Sequence, residues 1–280
     1  MACNVLPWGM TDALELPRAA VDAWRGEMIR LAGAAVHVPG SRRIRLSVVA
    51  GNLRIHRLLD RFVKPGSTVV DVGANIGYNT LHAARRAGPT GKVIAIEPTP
   101  DNLAVLRRNV AAAGLGNVVI EAKAAGRAAG RRDLFIRGSV SAVNSLFPLS
   151  CYASVTDVLP VPVVPLDDLV DEADVVKIDV EGAELDVLEG MPRVLRAGRL
   201  VLIVEWHPLL QQLAGYAPDA LPRWLLSRGW NLEAASHLTV RRLAARDLPP
   251  LTSRLLRLQR PVELLARRTL SAPISATRAH

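Results

Sequence analysis

Along residues 68–204, short apolar runs typical of β-strands alternate with segments that have the hydrophobic periodicity of an α-helix. Short apolar runs predict five strands, at 68–72, 92–96, 117–122, 173–178 and 200–204. Segments with apolar residues every three or four positions predict helices between them, at about 78–87, 99–113 and 182–189. Strands and helices that alternate at this spacing are typical of a parallel sheet with helices on both faces. We therefore expect an α/β fold.

Further elements flank this alternation. Residues 52–63 have helical periodicity and end at a Lys-Pro-Gly sequence, so we expect a helix that leads into the first strand. The alternation breaks down at residues 126–165, where only one strand is predicted, around 134–136. We interpret that stretch as a lid-like insertion over the site. A helix at 218–227 and a hairpin of 232–235 with 238–242 are predicted to close the fold.

The two ends of the chain differ from its middle. We expect residues 1–50 to form a helical or irregular extension, residues 51–248 the main domain, and residues 249–280 a basic amphipathic tail. In the tail, leucines are mixed with six arginines against one glutamate. Because Pro261 interrupts the pattern, we expect a docked helix and an irregular end, with contact to an anionic membrane surface as the alternative.

Size and composition limit the class of protein. With 280 residues, half of them hydrophobic, the chain can form one large core with appended ends. Its two cysteines, Cys3 and Cys151, predict neither a disulfide framework nor a zinc site. Charges interrupt every apolar run in the first 40 residues, so we expect no signal peptide or membrane span there. We therefore expect a cytoplasmic protein, with membrane association through the tail left open.

The net charge of +9 raises the question of a nucleic-acid partner. Much of this charge lies in the tail, and aromatic residues make up only 4% of the chain, which leaves few side chains for stacking on bases. These observations argue against nucleic acid, and RNA methylation is kept only as an alternative.

The candidate chemistry begins with the segment VVDVGANIGYNT at residues 69–80. An apolar strand ends here in Asp71 and continues into a turn with glycines at positions 73 and 77, before a helix. The Gly-x-Gly-x-x-Gly spacing of dinucleotide sites is absent. An acid at the strand end suits a ligand with an ammonium group, which S-adenosylmethionine (SAM) carries. The segment resembles the first motif of SAM-dependent methyltransferases.

A second acid supports a nucleoside ligand. Glu97 ends the next predicted strand and follows Gly73 by 24 residues, close to the spacing at which an acid binds ribose hydroxyls. The alternative is a solvated acid ahead of the helix that starts near Pro100.

Further polar residues follow the fourth and fifth strands. Ligands of an open α/β sheet bind beyond the carboxyl ends of its strands, so these residues are candidates for chemistry. They are Asp179, Glu181, Glu205 and His207. A carboxylate or imidazole among them can accept the proton of an alcohol during methyl transfer. They can also hold a hard divalent cation, although the spacing does not require one. Glu181 can alternatively serve only the helix N-terminus, and Lys177 is expected to pair with one of the acids.

In combination, these segments resemble the FkbM family of SAM-dependent methyltransferases. The matching pieces run in order along residues 50–235 and include DVGANIGYNT (71–80), IEP (96–98), NSL (144–146), LDD (166–168), VKIDVEGAE (176–184) and VEWHP (204–208). The resemblance implies a class I, Rossmann-like methyltransferase sheet of seven strands in the order 3-2-1-4-5-7-6. This sheet is mostly parallel, has one antiparallel strand and carries helices on both faces.

The family resemblance also implies an activity and a set of site residues. The activity is O-methylation of a hydroxyl on a sugar, glycolipid or polyketide-type metabolite, with a small-molecule or glycoconjugate acceptor. The residues implied for SAM are Asp71, Gly73, Asn75, Gly77, Asn79, Thr80 and Glu97. Asn144 and Ser145 are implied for the acceptor. A non-catalytic SAM-binding protein with a membrane- or partner-binding tail is the remaining alternative.

Overall fold

A computed structural model describes residues 28–31, 34–37, 42–137, 143–149, 154–235 and 240–268. Thirteen strands lie in these residues: β1 (Met28–Leu31), β2 (Ala34–His37), β3 (Thr68–Val72), β4 (Lys92–Ile96), β5 (Val118–Glu121), β6 (Ala124–Ala125), β7 (Gly130–Ile136), β8 (Asp157–Val164), β9 (Val175–Ile178), β10 (Val201–Trp206), β11 (Asn231–Ala235), β12 (Val240–Leu243) and β13 (Val262–Arg267). The α-helices of the same residues are α1 (Arg42–Phe62), α2 (Tyr78–Ala87), α3 (Pro100–Ala112), α4 (Glu184–Glu189), α5 (Pro208–Leu213), α6 (Ala220–Ser227) and α7 (Leu248–Leu258).

The largest sheet has eight strands in the order β5-β4-β3-β9-β10-β13-β11-β12. Its first five strands are parallel, and β13 is antiparallel to both β10 and β11. Counted along the chain, strands β3, β4, β5, β9, β10, β11 and β13 take the order 3-2-1-4-5-7-6, and β12 adds an antiparallel edge strand. The expected class I methyltransferase sheet is therefore confirmed.

Successive side chains of each strand point to opposite faces of this sheet, so part of the hydrophobic core lies on each face. One face is apolar along its length and packs against α4, α6 and α7, with buried residues such as Val70, Val176 and Val204 from the strands. The opposite face packs against α1 and α2 through residues such as Val69 and Val175. Because successive side chains point to opposite faces, the polar residues two positions after Val69 and Val175 lie on this second face.

The structure corrects the expectation of a tail at 249–280. Helix α7 packs on the first face, and β13 lies between β10 and β11, where five of its six residues are buried. The sheet therefore closes with β13, and the predicted hairpin, observed as β11 and β12, lies at its edge. The apolar run at 262–266 is a strand because it completes the hydrogen bonding of both neighbours. Residues 269–280 of the expected tail lie outside the described residues.

The N-terminal part and the insertion also differ from expectation. Helix α1 begins at Arg42 rather than near residue 52, and β1 pairs with β2 in a hairpin ahead of it. Residues 1–27 lie outside the described part of the chain. Within residues 126–165, two long strands, β7 and β8, pair antiparallel, and β6 joins β8 in a separate three-stranded sheet.

None of the helices that the structure describes combines the length and apolar character of a bilayer-spanning segment. Membrane contact through the C-terminal residues stays a prediction.

Candidate functional site

Strand register brings charged side chains together on the face covered by α1 and α2. Asp71 on β3 lies directly opposite Lys177 on β9, and Glu205 on β10 lies opposite Glu263 on β13. Asp179 follows Lys177 by two residues, so it belongs to the same face. The carboxyl-terminal half of this face is therefore charged, whereas its other half is apolar.

Lys177 is the cation at the centre of this region. Its Nζ lies 3.3 Å from Asp71 Oδ1 and 3.3 Å from Asp179 Oδ2, and it donates a 3.1 Å hydrogen bond to the carbonyl of Gly73. Burial acts to lower the pKa of Lys177, but the carboxylates of Asp179 and Asp71 outweigh burial and raise it above its ordinary value. The prediction that Lys177 pairs with one of the acids is confirmed.

The glycine turn after β3 lies against the loop after β9. Gly73 has a φ of 76°, and a β-carbon at this position would overlap the backbone carbonyl of Asp179. The amides of Gly73 and Ala74 both donate to the carbonyl of Ile96, and the amide of Gly77 donates to Ala74. The amides of Asn75 and Ile76 donate to the side chains of Glu97 and Asn75, respectively.

The turn therefore differs from a phosphate-binding loop. Each amide of residues 73–77 already has an acceptor within the protein. A pyrophosphate depends on such free amides. The arrangement suits a nucleoside without phosphates, and SAM is one.

Three other predicted SAM-binding residues are held by protein contacts. The Thr80 hydroxyl donates a 2.6 Å hydrogen bond to Asp71 Oδ2, so Asp71 serves both Thr80 and Lys177 inside the fold. The Asn79 side chain donates to Asn52 Oδ1 on α1 at 2.7 Å. Direct contact of Asp71, Asn79 or Thr80 with SAM stays a prediction.

Glu97 lies at the carboxyl end of β4 and is 4% exposed. Its Oε2 accepts from the Asn75 amide at 2.9 Å, and its Oε1 accepts from the Thr99 amide and from Asn102 Nδ2. Burial raises the pKa of Glu97, and these hydrogen bonds partly oppose the rise. Because a carboxylate oxygen has two lone pairs, Oε2 can accept a further bond from a ribose hydroxyl.

Three of the four predicted catalytic residues form a cluster. Carboxylate oxygens of Asp179, Glu181 and Glu205 all lie within 4.8 Å of one another. Glu181 is buried, whereas Asp179 and Glu205 are half-buried. Burial, and then the charge of Asp179, raise the pKa values of Glu181 and Glu205 well above the ordinary range. We call Asp179, Glu181 and Glu205 the acid cluster.

His207, the fourth candidate, does not belong to this cluster. It precedes α5, its side chain is buried, and burial lowers its pKa to about 4. The neutral imidazole that predominates near pH 7 is therefore a weak proton acceptor.

The loop that carries Glu181 is held by several neighbours. Glu181 has a φ of 54°, an uncommon backbone conformation for a residue other than glycine. The Ser145 hydroxyl donates a 2.6 Å hydrogen bond to the carbonyl of Glu181. Glu184 accepts from the amide of Gly182 at 3.0 Å and from Gln211 Nε2 at 2.7 Å. Burial raises the pKa of Glu184 to about 7.

The predicted acceptor-binding residues take structural positions. Ser145 is 1% exposed and holds the Glu181 loop, as described above. Asn144 accepts from the amide of Arg137 and donates to Thr99 Oγ1 at 3.3 Å, which links the insertion to the residues around Glu97. Their contact with an acceptor stays a prediction.

Sequence reasoning missed Glu263 and its partner Arg54. Glu263 lies on β13 and pairs with Arg54 of α1 at 2.6 Å, which ties the covering helix to the charged half of the face. The sequence feature that could have identified Glu263 is a single acid within an otherwise apolar run at 262–266. Such a run is typical of a buried strand with one polar position.

Among solved structures, the fold is similar to an FkbM methyltransferase from Methylobacillus flagellatus. That likeness has a TM-score of 0.45 at 16% identity and covers 82% of this chain and 62% of the other. A SAM-dependent methyltransferase from Aquifex aeolicus also has a TM-score of 0.45 at 16% identity, and the match covers 81% of this chain and 98% of the other.

Curated relatives match part of the chain. The hexuronic acid methyltransferase AglP of Haloferax volcanii is 32% identical over 168 residues, which cover 58% of this chain and 65% of the relative. Methyltransferase 1 of Beauveria bassiana is 28% identical over 146 residues, which cover 45% of this chain and 58% of the relative. The chain thus spans less than two thirds of the length of either relative.

The family model for the methyltransferase FkbM domain matches residues 71–232. This match covers more than half of the chain, from Asp71 near the end of β3 to the start of β11, beyond the acid cluster. The chain therefore belongs to the FkbM methyltransferase family.

Proposed function

We propose that this protein transfers a methyl group from SAM to a hydroxyl of a sugar, glycolipid or polyketide-type acceptor. The observation that carries the proposal is the acid cluster, which lies at the carboxyl ends of β9 and β10 beside the glycine turn of β3. Membership of the FkbM family supports methyl transfer, and the name of the Haloferax relative supports a sugar-type acceptor.

The residues at the strand ends fit SAM as a ligand. SAM, when bound, supplies a methyl group on a positively charged sulfur. The turn after β3 has no open amide for a phosphate, Glu97 has capacity for a ribose hydroxyl, and the acids at the strand ends suit a cationic amino acid arm.

In this proposal, a carboxylate of the acid cluster accepts the proton of the acceptor hydroxyl. Glu205 is half-buried, and its pKa is raised well above the ordinary range by burial and by Asp179. A base whose pKa is closer to the working pH is more effective, provided that it is deprotonated. Glu205 is therefore better suited than His207, and Asp179 is held in place by Lys177.

The RNA and tail-scaffold alternatives lose part of their support. Residues 249–267 of the expected basic tail belong to the fold, and Arg267 pairs with Glu233 at 3.0 Å. The acceptor class is tested by incubation with methyl-labelled SAM and fractionated extracts. Label in a lipid or metabolite fraction supports the proposal, and label only in RNA contradicts it.

Glu97→Ala is expected to weaken SAM binding severely. The variant removes the ribose acceptor and also the partner of the Asn75 and Thr99 amides, so the turn loses its support. Calorimetry with SAM measures the affinity, and a thermal melt shows whether the fold persists. The control is Glu172→Gln, because Glu172 is an exposed acid that lies far from Glu97 in the sequence. Unchanged affinity in a folded Glu97→Ala protein would contradict the assignment of this site.

Glu205→Gln is expected to lower turnover by about 10²- to 10⁴-fold, the usual effect of losing a general base. Affinity for SAM should change little, because the amide keeps the size of the side chain. The assay follows labelled methyl transfer into the active fraction, with Glu172→Gln as the control. The rate in the unaltered protein should rise with pH until Glu205 is deprotonated, well above pH 4.5. A profile that levels off near pH 4 would instead assign the base to His207.

A further inference from the structure

Carboxylates outnumber cations around the acid cluster. The acids that influence one another here are Asp71, Asp179, Glu181, Glu184, Glu205 and Glu263. The cationic side chains near them in the described residues are Lys177, Arg54 and Arg137. Since isolated buried charges are costly, the surplus of acids must be relieved either by protons, as the raised pKa values of Glu181 and Glu205 indicate, or by a bound cation.

The available cations are committed to other partners. Lys177 bridges Asp71 and Asp179, and Arg54 is paired with Glu263. The guanidinium of Arg137 donates to backbone carbonyls of the insertion, among them those of Phe135 and Pro148. Within the part of the chain that the structure describes, neither Glu181 nor Glu205 therefore forms an ion pair.

Glu181 provides an independent indication of a ligand. The residue is only 7% exposed, and its Oε2 is buried without a hydrogen-bond partner in the described residues. This carboxylate points into the acid cluster, where its oxygen lies within 4.8 Å of those of Asp179 and Glu205. Buried carboxylate oxygens are rarely left unsatisfied, because the loss of water must be compensated.

We propose that Asp179, Glu181 and Glu205 bind a divalent cation of the hard type, such as Mg²⁺ or Mn²⁺. Such cations take oxygen ligands, and metal–oxygen distances of about 2.0–2.6 Å place the oxygens on opposite sides of the ion about 4–5 Å apart. The oxygens of the acid cluster all lie within 4.8 Å of one another, which does not exceed this largest separation between two ligands of one ion. The strained Glu181 backbone, which Ser145 holds through the carbonyl, presents the third carboxylate to the other two.

The three carboxylates of the acid cluster occupy only some of the coordination positions of such a cation. Asp179 and Glu205 are half-buried rather than enclosed, so oxygen atoms of water or of an acceptor can occupy the remaining coordination positions. A metal ion lowers the pKa of a hydroxyl that it binds. With the cation bound, Glu205 is a metal ligand and the cation, rather than a free Glu205 carboxylate, promotes loss of the hydroxyl proton. This consequence for catalysis rests on the proposed function, whereas cation binding itself does not.

The test uses the full-length protein, freed of metal with EDTA and without SAM. Titration with Mn²⁺, followed by the loss of the free-ion signal in electron paramagnetic resonance, should show one site. Glu181→Gln and Glu205→Gln keep the side-chain size but remove a ligand charge. Each should weaken Mn²⁺ binding at least as much as the about 10- to 100-fold loss seen when residues supporting a metal site are removed. Glu172→Gln should bind like the unaltered protein.

Circular dichroism and a thermal melt of each variant show whether it is folded. Equal Mn²⁺ affinity in the folded Glu181→Gln and Glu205→Gln variants would overturn the proposal, as would no Mn²⁺ binding by the unaltered protein at millimolar concentration. SAM calorimetry and the methyl-transfer assay in EDTA separate the cation proposal from the proposed methyl-transfer function. Retained SAM binding and methyl transfer without metal overturn the catalytic role of the cation and leave the proposed function standing, whereas Mn²⁺ binding without SAM binding overturns the proposed function alone.

Discussion

Removal of residues 260–280 is expected to unfold the domain, because this truncation deletes β13 from the interior of the sheet. The strand forms six register pairs with β10 and five with β11. Burial of its three large aliphatic side chains, Val262, Leu264 and Leu265, is worth about 5–9 kcal/mol together. That is comparable with the whole stability of a typical domain, about 5–15 kcal/mol. Far-ultraviolet circular dichroism during heating measures the effect.

The matched control is removal of residues 269–280, which takes away none of the described residues and should leave the melting transition in place. A cooperative transition in the longer truncation would contradict the role of β13.

A pair of point variants tests the same strand without a truncation. Leu264→Ala should cost about 2–5 kcal/mol, as expected for a fully buried leucine. Leu258→Ala, at a leucine that is 51% exposed near the end of α7, should change stability by about 0.5 kcal/mol or less. Urea denaturation measures both, and equal effects would place residues 262–267 outside the core.

Lys177→Met is expected to destabilise the protein by about 3–5 kcal/mol, because it removes the cation from between two buried or half-buried carboxylates. Methionine keeps the length of the side chain, so the loss reports mainly on charge. Asp71 and Asp179 would then face each other without the ammonium that lies 3.3 Å from each. Urea denaturation measures the free energy of unfolding.

The control is Lys92→Met, a lysine at the exposed first position of β4, which should have little effect. Adding Asp71→Asn to Lys177→Met should recover part of the lost stability, because one of the two unpaired charges is removed. If Lys177→Met is as stable as the unaltered protein, the three charges do not act as one network.

Local sequence patterns were sufficient to predict the parallel part of the sheet. The strands at β3 and β4, the glycine turn and the start of α3 after Thr99 were all predicted, because each depends on neighbouring residues. An apolar run, a glycine and a proline at a helix start restrict the backbone wherever they occur.

Among the strands that were not predicted, β8 and β13 were missed for different physical reasons. β8 contains Pro160 and Pro162, which argue against a strand because proline cannot donate to a ladder. The two prolines are tolerated because β6 pairs only with Val163 and Val164. On that side of β8, the proline positions therefore have no neighbouring strand that would need their amide hydrogens. β13 was missed because arginines surround it in the sequence, and its partners lie 56–66 residues away on β10 and 28–36 residues away on β11.

By itself, the sequence determined which residues carry charge at the strand ends and which turn suits a nucleoside without phosphates. The acid cluster was anticipated in its members, Asp179, Glu181 and Glu205, because carboxyl ends of parallel strands share one edge. Only the tertiary structure decided that Lys177 lies between Asp71 and Asp179, that Glu263 joins the acids, and that His207 stays apart. Strand register and burial set these neighbours, and both depend on pairing between distant segments that no local pattern encodes.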